Sequence, residues 1–443
     1  MPSTTTFGSF PGVKVNVTGG AITNIEIGRE QTLVLFGRGD SANGSAAVNT
    51  PTTILSRADI DRKFGQDTEL ARGMKEALSN GANIDFLYGV MPNTVSNTES
   101  FAGTSSGTIS QTPVSQDTVS VTDSTSGNQM SLEITYEDAP SQPTASETVR
   151  LNRKSGEWAA DSSSDYEFQY EYEDYATAFD SADKTVNDTE TGLYGAISDS
   201  ESVASTLSGK VNELRSQYQL VMGVAGAEPN GDTDDVAYLE SGYPHYDVSN
   251  YTDNVDNDAM FLHAPARTKT DPVPFVGAVA GRMVGNAIDD PVFNDTLNVG
   301  AGDLTQNFGK SQADDMRDRQ VMPVRDTGSV RLRDNVSTST ETDWPRDFFR
   351  RRIVDQTIIM SRLVGDTIFG RINDEDTRES AEDLIRSELS GFADDRLIQP
   401  NTDDETNWYV DVYDAGADTV GIDIGITPYG LAKRIDVSIV VNT

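Results

Sequence analysis

The stretch QTLVLFG, Gln31 to Gly37, is a near-continuous apolar run closed by glycine. Without polar/apolar alternation, so short a run reads as a strand buried on both faces, the situation inside a sheet covered by helices on both sides. A polar Gly/Ser/Asn loop follows. SRADIDRKFG and DTELARGMKEALSNGA then carry helical spacing, with Ser56 and Asp67 placed as N-caps and Gly65 and Gly81 as stops. NIDFLYGV returns as a strand. This β-loop-α-α-β unit predicts an α/β layer.

From about Asn93 to about Glu190 the composition shifts to Ser and Thr, with alternating pieces such as DTVSVTD, QMSLEITYED and SDYEFQYEYEDY. Period-2 alternation predicts a β-rich module. Helical spacing resumes at DSESVASTLSGKVNELRSQ and runs into the apolar strand YQLVMGVAG, so the β-rich part reads as an insertion into a discontinuous α/β domain. PFVGAVAGRMVG predicts a helix. The segment FGKSQADDMRDRQVMPVRDTGSVRLRD predicts a helix and two short strands turning at Thr327-Gly328. In DWPRDFFRRRIVDQTIIMSRLVGDTIFGRI, Asp343 reads as N-cap, Pro345 as a first-turn residue, and Phe349, Ile353, Thr357, Met360 and Val364 as one apolar face. A second amphipathic helix and the strands TNWYVDVYD and TVGIDIGITPYG follow. Both chain ends are strand-like: Val13, Val15 and Val17 alternate in VKVNV, and Ile435, Val437, Ile439 and Val441 alternate in RIDVSIVVN.

Asp plus Glu number 71 against 34 Lys plus Arg, a formal net charge of −37, and only nine of those cations are Lys. Such charge destabilises a compact state unless screened, and at about 1 M salt the Debye length is only ~3 Å. A halophile's protein is the simplest reading. The same charge argues against direct contact with nucleic acid or anionic membrane. The chain has no Cys and two His, His245 and His263, which removes disulfides, thiol nucleophiles and Cys- or His-rich metal sites. MPSTTTFGSF lacks a charged region before an apolar core, and the most apolar stretches are short and interrupted by charge, so a soluble protein made in the cytoplasm is expected.

Gly37, Gly39 and Ala42 in LVLFGRGDSA match a dinucleotide-binding fingerprint formally, but NGSAAVNTP is a poor helix start, and a surface loop is the better reading. TDNVDND lacks the glycine and closing Glu of a calcium loop and reads as a solvated acidic loop. No nucleophile elbow, HExxH or Walker loop occurs, so no catalytic, cofactor-binding or metal-binding residue is assigned and no enzyme is expected. The basic cluster Arg346, Arg350, Arg351 and Arg352 leaves two readings open, pairing within the chain or pairing across an interface with an acidic neighbour.

FPGVKVNV, TLVLFGRG, NTPTTILSRADIDRKFG and LARGMKEALSNGANIDFLYGV resemble, in order, the N-terminal half of contractile tail sheath proteins. AGRMVGNAIDDPVFNDTLN, MPVRDTGSVRLRD and DWPRDFFRRRIVDQTI resemble the same family's later segments. HAPARTKTDP departs from the fuller Pro-rich signature of bacterial relatives. The resemblance implies a discontinuous multidomain α/β (α+β) sheath fold with an inserted β-rich domain and terminal strand arms. Its expected parts are an N-terminal arm (1–27), an α/β domain in two pieces (28–92 and 191–342) and an outward-facing insertion (93–190). A tube-proximal C-terminal domain (343–430) and a C-terminal arm (431–443) complete it. It further implies a subunit that stacks in hexameric rings into a helical tube around a tail tube. Baseplate and tail terminator proteins are the other implied partners, and contraction drives the tube through a host envelope for genome ejection or injection. The implied place is a virion tail or contractile injection particle, and the acidity makes a haloarchaeal host the expected one. The arms carrying Val13, Val15, Val17, Ile435, Val437, Ile439 and Val441 would complete sheets in neighbouring subunits. Two alternatives from other classes are a halophile surface-array or adhesion protein and an acidic enzyme with an unrecognised carboxylate site.

Overall fold

The computed structural model describes residues 31–430 except 82–83, 116–117, 136–139, 154, 186–190, 228–254, 265–272, 287, 289–291, 293, 300–303, 305–308, 341–346, 402–406 and 417–418. In chain order the described elements begin with β1 (Gln31–Phe36), β2 (Thr52–Thr53), α1 (Arg57–Phe64), α2 (Glu69–Asn80) and β3 (Phe86–Val90). Next come β4 (Asn93–Thr108), β5 (Ser120–Asp123), β6 (Asn128–Gln129), β7 (Ser131–Thr135), β8 (Thr148–Asn152), β9 (Glu157–Asp174) and α3 (Tyr175–Ser181). Then follow β10 (Thr191–Ala196), α4 (Glu201–Ser216), β11 (Leu220–Gly226), β12 (Met260–Ala264), α5 (Val276–Gly285), α6 (Lys310–Asp318), β13 (Val321–Asp326) and β14 (Val330–Leu332). The last are α7 (Phe348–Ile368), α8 (Glu375–Asp394), β15 (Trp408–Gly416) and β16 (Thr419–Ile426).

The chain divides into two compact units, Arg29–Arg352 and a smaller one whose described part runs from Ile353 to residue 430. In the larger, an eight-stranded sheet has the order β14-β13-β12-β11-β10-β1-β3-β2, parallel from β13 to β3 with antiparallel edges at β14 and β2. Leu33, Val34, Leu35 and Phe36 of β1 have no exposed surface, as a central strand covered on both faces requires. Helices α2 and α5 pack together beside β1, α4 packs against β10 and β11, and α3 packs on α4 and β1. The chain leaves β1 toward β3, and after the inserted strands it resumes on the other side of β1 as β10. That reversal is a topological switch point.

The predicted α2 cap is corrected by one residue. Asp67 sits in a left-handed turn (φ 61°), and Thr68 is the N-cap, its Oγ1 accepting the Ala71 N–H at 3.2 Å. At α7 the cap lies four residues beyond the expected Asp343, which with Pro345 falls outside the described residues. The Asp347 carboxylate accepts the Phe349 N–H at 2.9 Å, and the helix starts at Phe348.

Between β3 and α3 lies a second sheet, in which β9 pairs along its length with β4 and on its other side with β5 and β8. Trp158, Tyr166, Phe168 and Tyr170 alternate with Glu167 and Gln169 along β9, so one face is aromatic and buried and the other polar. Trp158 meets Phe101, Phe168 and Tyr166 with ring centroids 5.1, 4.9 and 5.5 Å away. This core is a cluster of its own, distinct from the core of the eight-stranded sheet.

In the smaller unit, β15 and β16 form an antiparallel pair from Trp408↔Ile426 to Gly416↔Thr419. Val410 and Val412 are buried where β15 meets α8, which buries Ile385, Leu389 and Phe392.

Candidate interaction surfaces

Val13, Val15, Val17, Ile435, Val437, Ile439 and Val441 lie outside the described residues, as does Arg346. The described chain ends at Gly430, just past β16, where the 427–430 stretch runs beside 397–401. The Gln399 N–H donates to the Thr427 carbonyl at 2.9 Å, and the Tyr429 N–H to the Leu397 carbonyl at 3.0 Å. The β15–β16 ladder is therefore held at the base of the C-terminal segment, and Asn373 fixes its turn by donating to the Gly416 and Thr419 carbonyls.

Among the described residues this sheet has two strands only. A two-stranded pair is marginal alone in water, and its outer edges present backbone donors and acceptors in register for further strands. One face is covered by α8. On the other, Tyr409 and Tyr413 are 51% and 41% exposed. Each ring lies over a cross-strand glycine: a Cβ added at Gly425 would come within 2.2 Å of the Tyr409 ring, and one at Gly421 within 2.4 Å of the Tyr413 ring. The tyrosines cover backbone that the glycines leave bare, without filling the edges.

The arginine cluster is divided by the fold. Arg351 is buried and pairs with Asp258 at 2.5 Å. Arg352 is buried too, donating to the Asn286 carbonyl at 2.9 Å with its guanidinium 5.5 Å from the centre of the Phe348 ring. Both bonds fasten the first turn of α7 within the larger unit. Arg350 is half-buried.

The glycine-rich loop after β1 runs into a turn, and the next helix in the chain begins only at Arg57, so no helix continues directly from Gly37 and Gly39; the first turn of α2 meets the loop instead, the Leu70 N–H donating to the Arg38 carbonyl at 3.1 Å. A Cβ at Gly39 would lie 2.3 Å from Met91 Sδ and one at Gly37 3.1 Å from Ile197, which makes close packing the reason for both glycines. Asp40 accepts from the Ala42 and Asn43 N–H groups, and its bond from the Asn43 side chain, the strongest influence, holds its carboxyl below the usual range. In the acidic loop, Asp256 accepts from Thr340 and Asp258 is taken by Arg351. Among the described residues no group of three His, Asp or Glu is placed to hold a metal, and no helix is long and apolar enough to cross a membrane.

A cleft opens beyond the carboxyl ends of β1 and β10, at the switch point. It is lined by Arg38, Glu69, Tyr175 and Asp199 from the α/β body and by Pro113, Arg153 and Glu173 from the inserted module. Arg38 and Glu69 pair at 3.4 Å. Burial in these walls pushes the Glu173 carboxyl up to about 7, with Arg153 and Arg38 opposing the rise and Glu69 adding to it.

No family model matches the chain, and no curated protein matches it. Solved structures do. A chain of the anti-feeding prophage helical sheath in the contracted state is 13% identical, with a TM-score of 0.58 over 98% of this chain and 100% of that one. A chain of the anti-feeding prophage baseplate, six-fold symmetrised, is 12% identical, with a TM-score of 0.58 over 99% and 100%. The crystal structure of a sheath tail protein from Desulfitobacterium hafniense is 12% identical, with a TM-score of 0.50 over 90% and 93%. The mixed α/β architecture is thus shared with these structures over 90% to 99% of this chain.

Proposed function

We propose that this chain is the subunit of a contractile sheath. Copies stack as six-membered rings around a tail tube, meet a baseplate at one end and a terminator at the other, and shorten to drive the tube through a cell envelope. The observation that carries the reading is the end-to-end likeness, which takes in the inserted module and the C-terminal hairpin as well as the α/β body. A likeness confined to the parallel sheet would fit many unrelated activities.

The incomplete β15–β16 sheet gives the assembly its means. The arms 1–27 and 431–443, with Val13, Val15, Val17, Ile435, Val437, Ile439 and Val441 at alternate positions, add strands to the hairpins of neighbouring copies. Backbone ladders supply strength and the alternation supplies register. Such head-to-tail contacts do not close on themselves and so propagate a helical tube. Residues 343–430 face the tube and 93–190 face outward. The cluster Arg346, Arg350, Arg351 and Arg352 is kept as a candidate interface, with Arg351 and Arg352 also holding contacts within the chain. The role is structural and takes no cofactor. The net charge of −37 favours a saline setting, hence a haloarchaeal virus tail or a related injection particle.

Negative-stain microscopy of the purified protein in molar salt tests this. Tubes or stacked rings are expected, and a uniform monomer population at high concentration would sink the reading.

A further inference from the structure

The inserted module is joined to the α/β body by two adjacent crossings, Met91-Pro92 into β4 and Asp174-Tyr175 out of β9, and Asn93 pairs directly with Asp174. This is a two-strand neck. The apolar cores on its two sides are separate clusters, so no shared apolar core bonds the module to the body among the described residues. Polar contacts cross the junction. Thr112 Oγ1 and Ser202 Oγ lie 2.8 Å apart, and Ser202 Oγ donates to the Thr112 carbonyl at 3.2 Å. Beside them lies the switch-point cleft, where Arg153 and Glu173 of the module face Arg38, Glu69 and Asp199 of the body.

We propose that this cluster is a proton-operated latch, in which the charge state of Glu173 sets how firmly the β module is seated on the α/β body. With Glu173 neutral, the charges lining the cleft balance: Arg38 and Arg153 against Glu69 and Asp199. With Glu173 ionised, one carboxylate is in excess in a partly desolvated place, and opening the cleft returns it to water. Glu69 on α2 repels it. Arg38 after β1 and Arg153 after β8 attract it without cancelling the burial, and Tyr175 on α3 closes the wall with its hydroxyl 3.5 Å from the Ile197 carbonyl.

Linkage fixes the sign. The seated carboxyl titrates at about 7 against an ordinary 4.5, so the seated state binds the proton more tightly. Seating is firmest below 4.5, loosens as pH rises from 4.5 to about 7, and is constant above that. The latch does not depend on the sheath reading and can fail or hold without it.

The chain has no Cys, so Ser198→Cys places a single thiol in the cleft wall, at a residue 9% exposed. The rate at which a thiol reagent reaches it in the full chain reports opening. Comparing this chain with the same chain carrying Glu173→Gln at one pH cancels the thiol's own ionisation. Labelling should be on the order of a hundredfold slower with Glu173→Gln at pH 8 and only about tenfold slower at pH 5.5. Arg153→Gln removes a cation that opposes the rise, so the pH midpoint of labelling should move upward. Equal rates with and without Glu173→Gln at pH 8, a ratio that does not change with pH, or an unmoved midpoint in Arg153→Gln overturns the latch.

Discussion

At Gly277 in α5 a Cβ would lie 2.0 Å from the Gly73 carbonyl oxygen in α2, and at Gly281 one would lie 2.5 Å from the Ala77 carbonyl oxygen. The obstruction is backbone, which has no rotamer to yield, so the two helices must part to admit a methyl group. Gly209 in α4 is exposed, and nothing lies within 4 Å of where its Cβ would stand, so there the same change adds only helix propensity. Gly277→Ala should therefore destabilise the larger unit by about 1–3 kcal/mol, whereas Gly209→Ala should stabilise it by about 1 kcal/mol. Thermal melts of the two variants check the pair, and shifts of equal sign would contradict the packing. Glycine content is legible in the sequence, but which glycine touches a neighbouring helix is not. The arginine cluster shows the same limit: its helical spacing is visible, yet Asp258, the partner of Arg351, is 93 residues away. Only the fold brings that pair together.

Elements with strong periodicity were legible. The run at β1, the helices α1, α2, α4 and α8, and the alternation of β9 all appear where the spacing places them. Among the strands that escaped, two did so for opposite reasons. β4 spans 16 residues of mostly Asn, Ser, Thr and Gly, whose low apolar content hides a strand that draws its stability from pairing with β9. β10, TGLYGA, is short and glycine-rich, because Gly195 must admit Leu35 and Val276 within 3.0 Å of where a Cβ would stand. The C-terminal hairpin is an element whose incompleteness carries a prediction. Its intrachain supports among the described residues include α8 and the Asn373 contacts, so a chain ending at Gly430 should keep its far-ultraviolet spectrum and melting temperature. It should also remain monomeric under conditions where the full chain forms tubes. Sedimentation velocity in molar salt distinguishes the outcomes, and normal polymerisation of the shortened chain would remove the C-terminal arm from the mechanism.

For the molecule as a whole, charge sets the conditions under which fold and assembly hold. Lys and Arg, 34 together, cannot neutralise 71 carboxylates, and several cations are already committed to local pairs, Lys210 alone bridging Asp180, Asp183 and Glu213. The excess is distributed through the sequence, so repulsion acts within each copy and again between copies brought side by side. The Debye length falls from ~10 Å at 0.1 M salt to ~3 Å at 1 M, so most screening is gained by about 1 M. The melting temperature should rise steeply between 0.1 and 1 M NaCl and flatten beyond, and assembly should follow the same curve with a stronger dependence. KCl should reproduce both curves, because ionic strength rather than a bound ion is the cause. Lowering the pH toward 4.5 at 0.1 M salt should recover part of the loss, since protonation removes the same charges that salt screens. A melting temperature indifferent to salt would separate the acidity from any saline setting, while a curve that differs between NaCl and KCl would point to specific cation sites in place of screening.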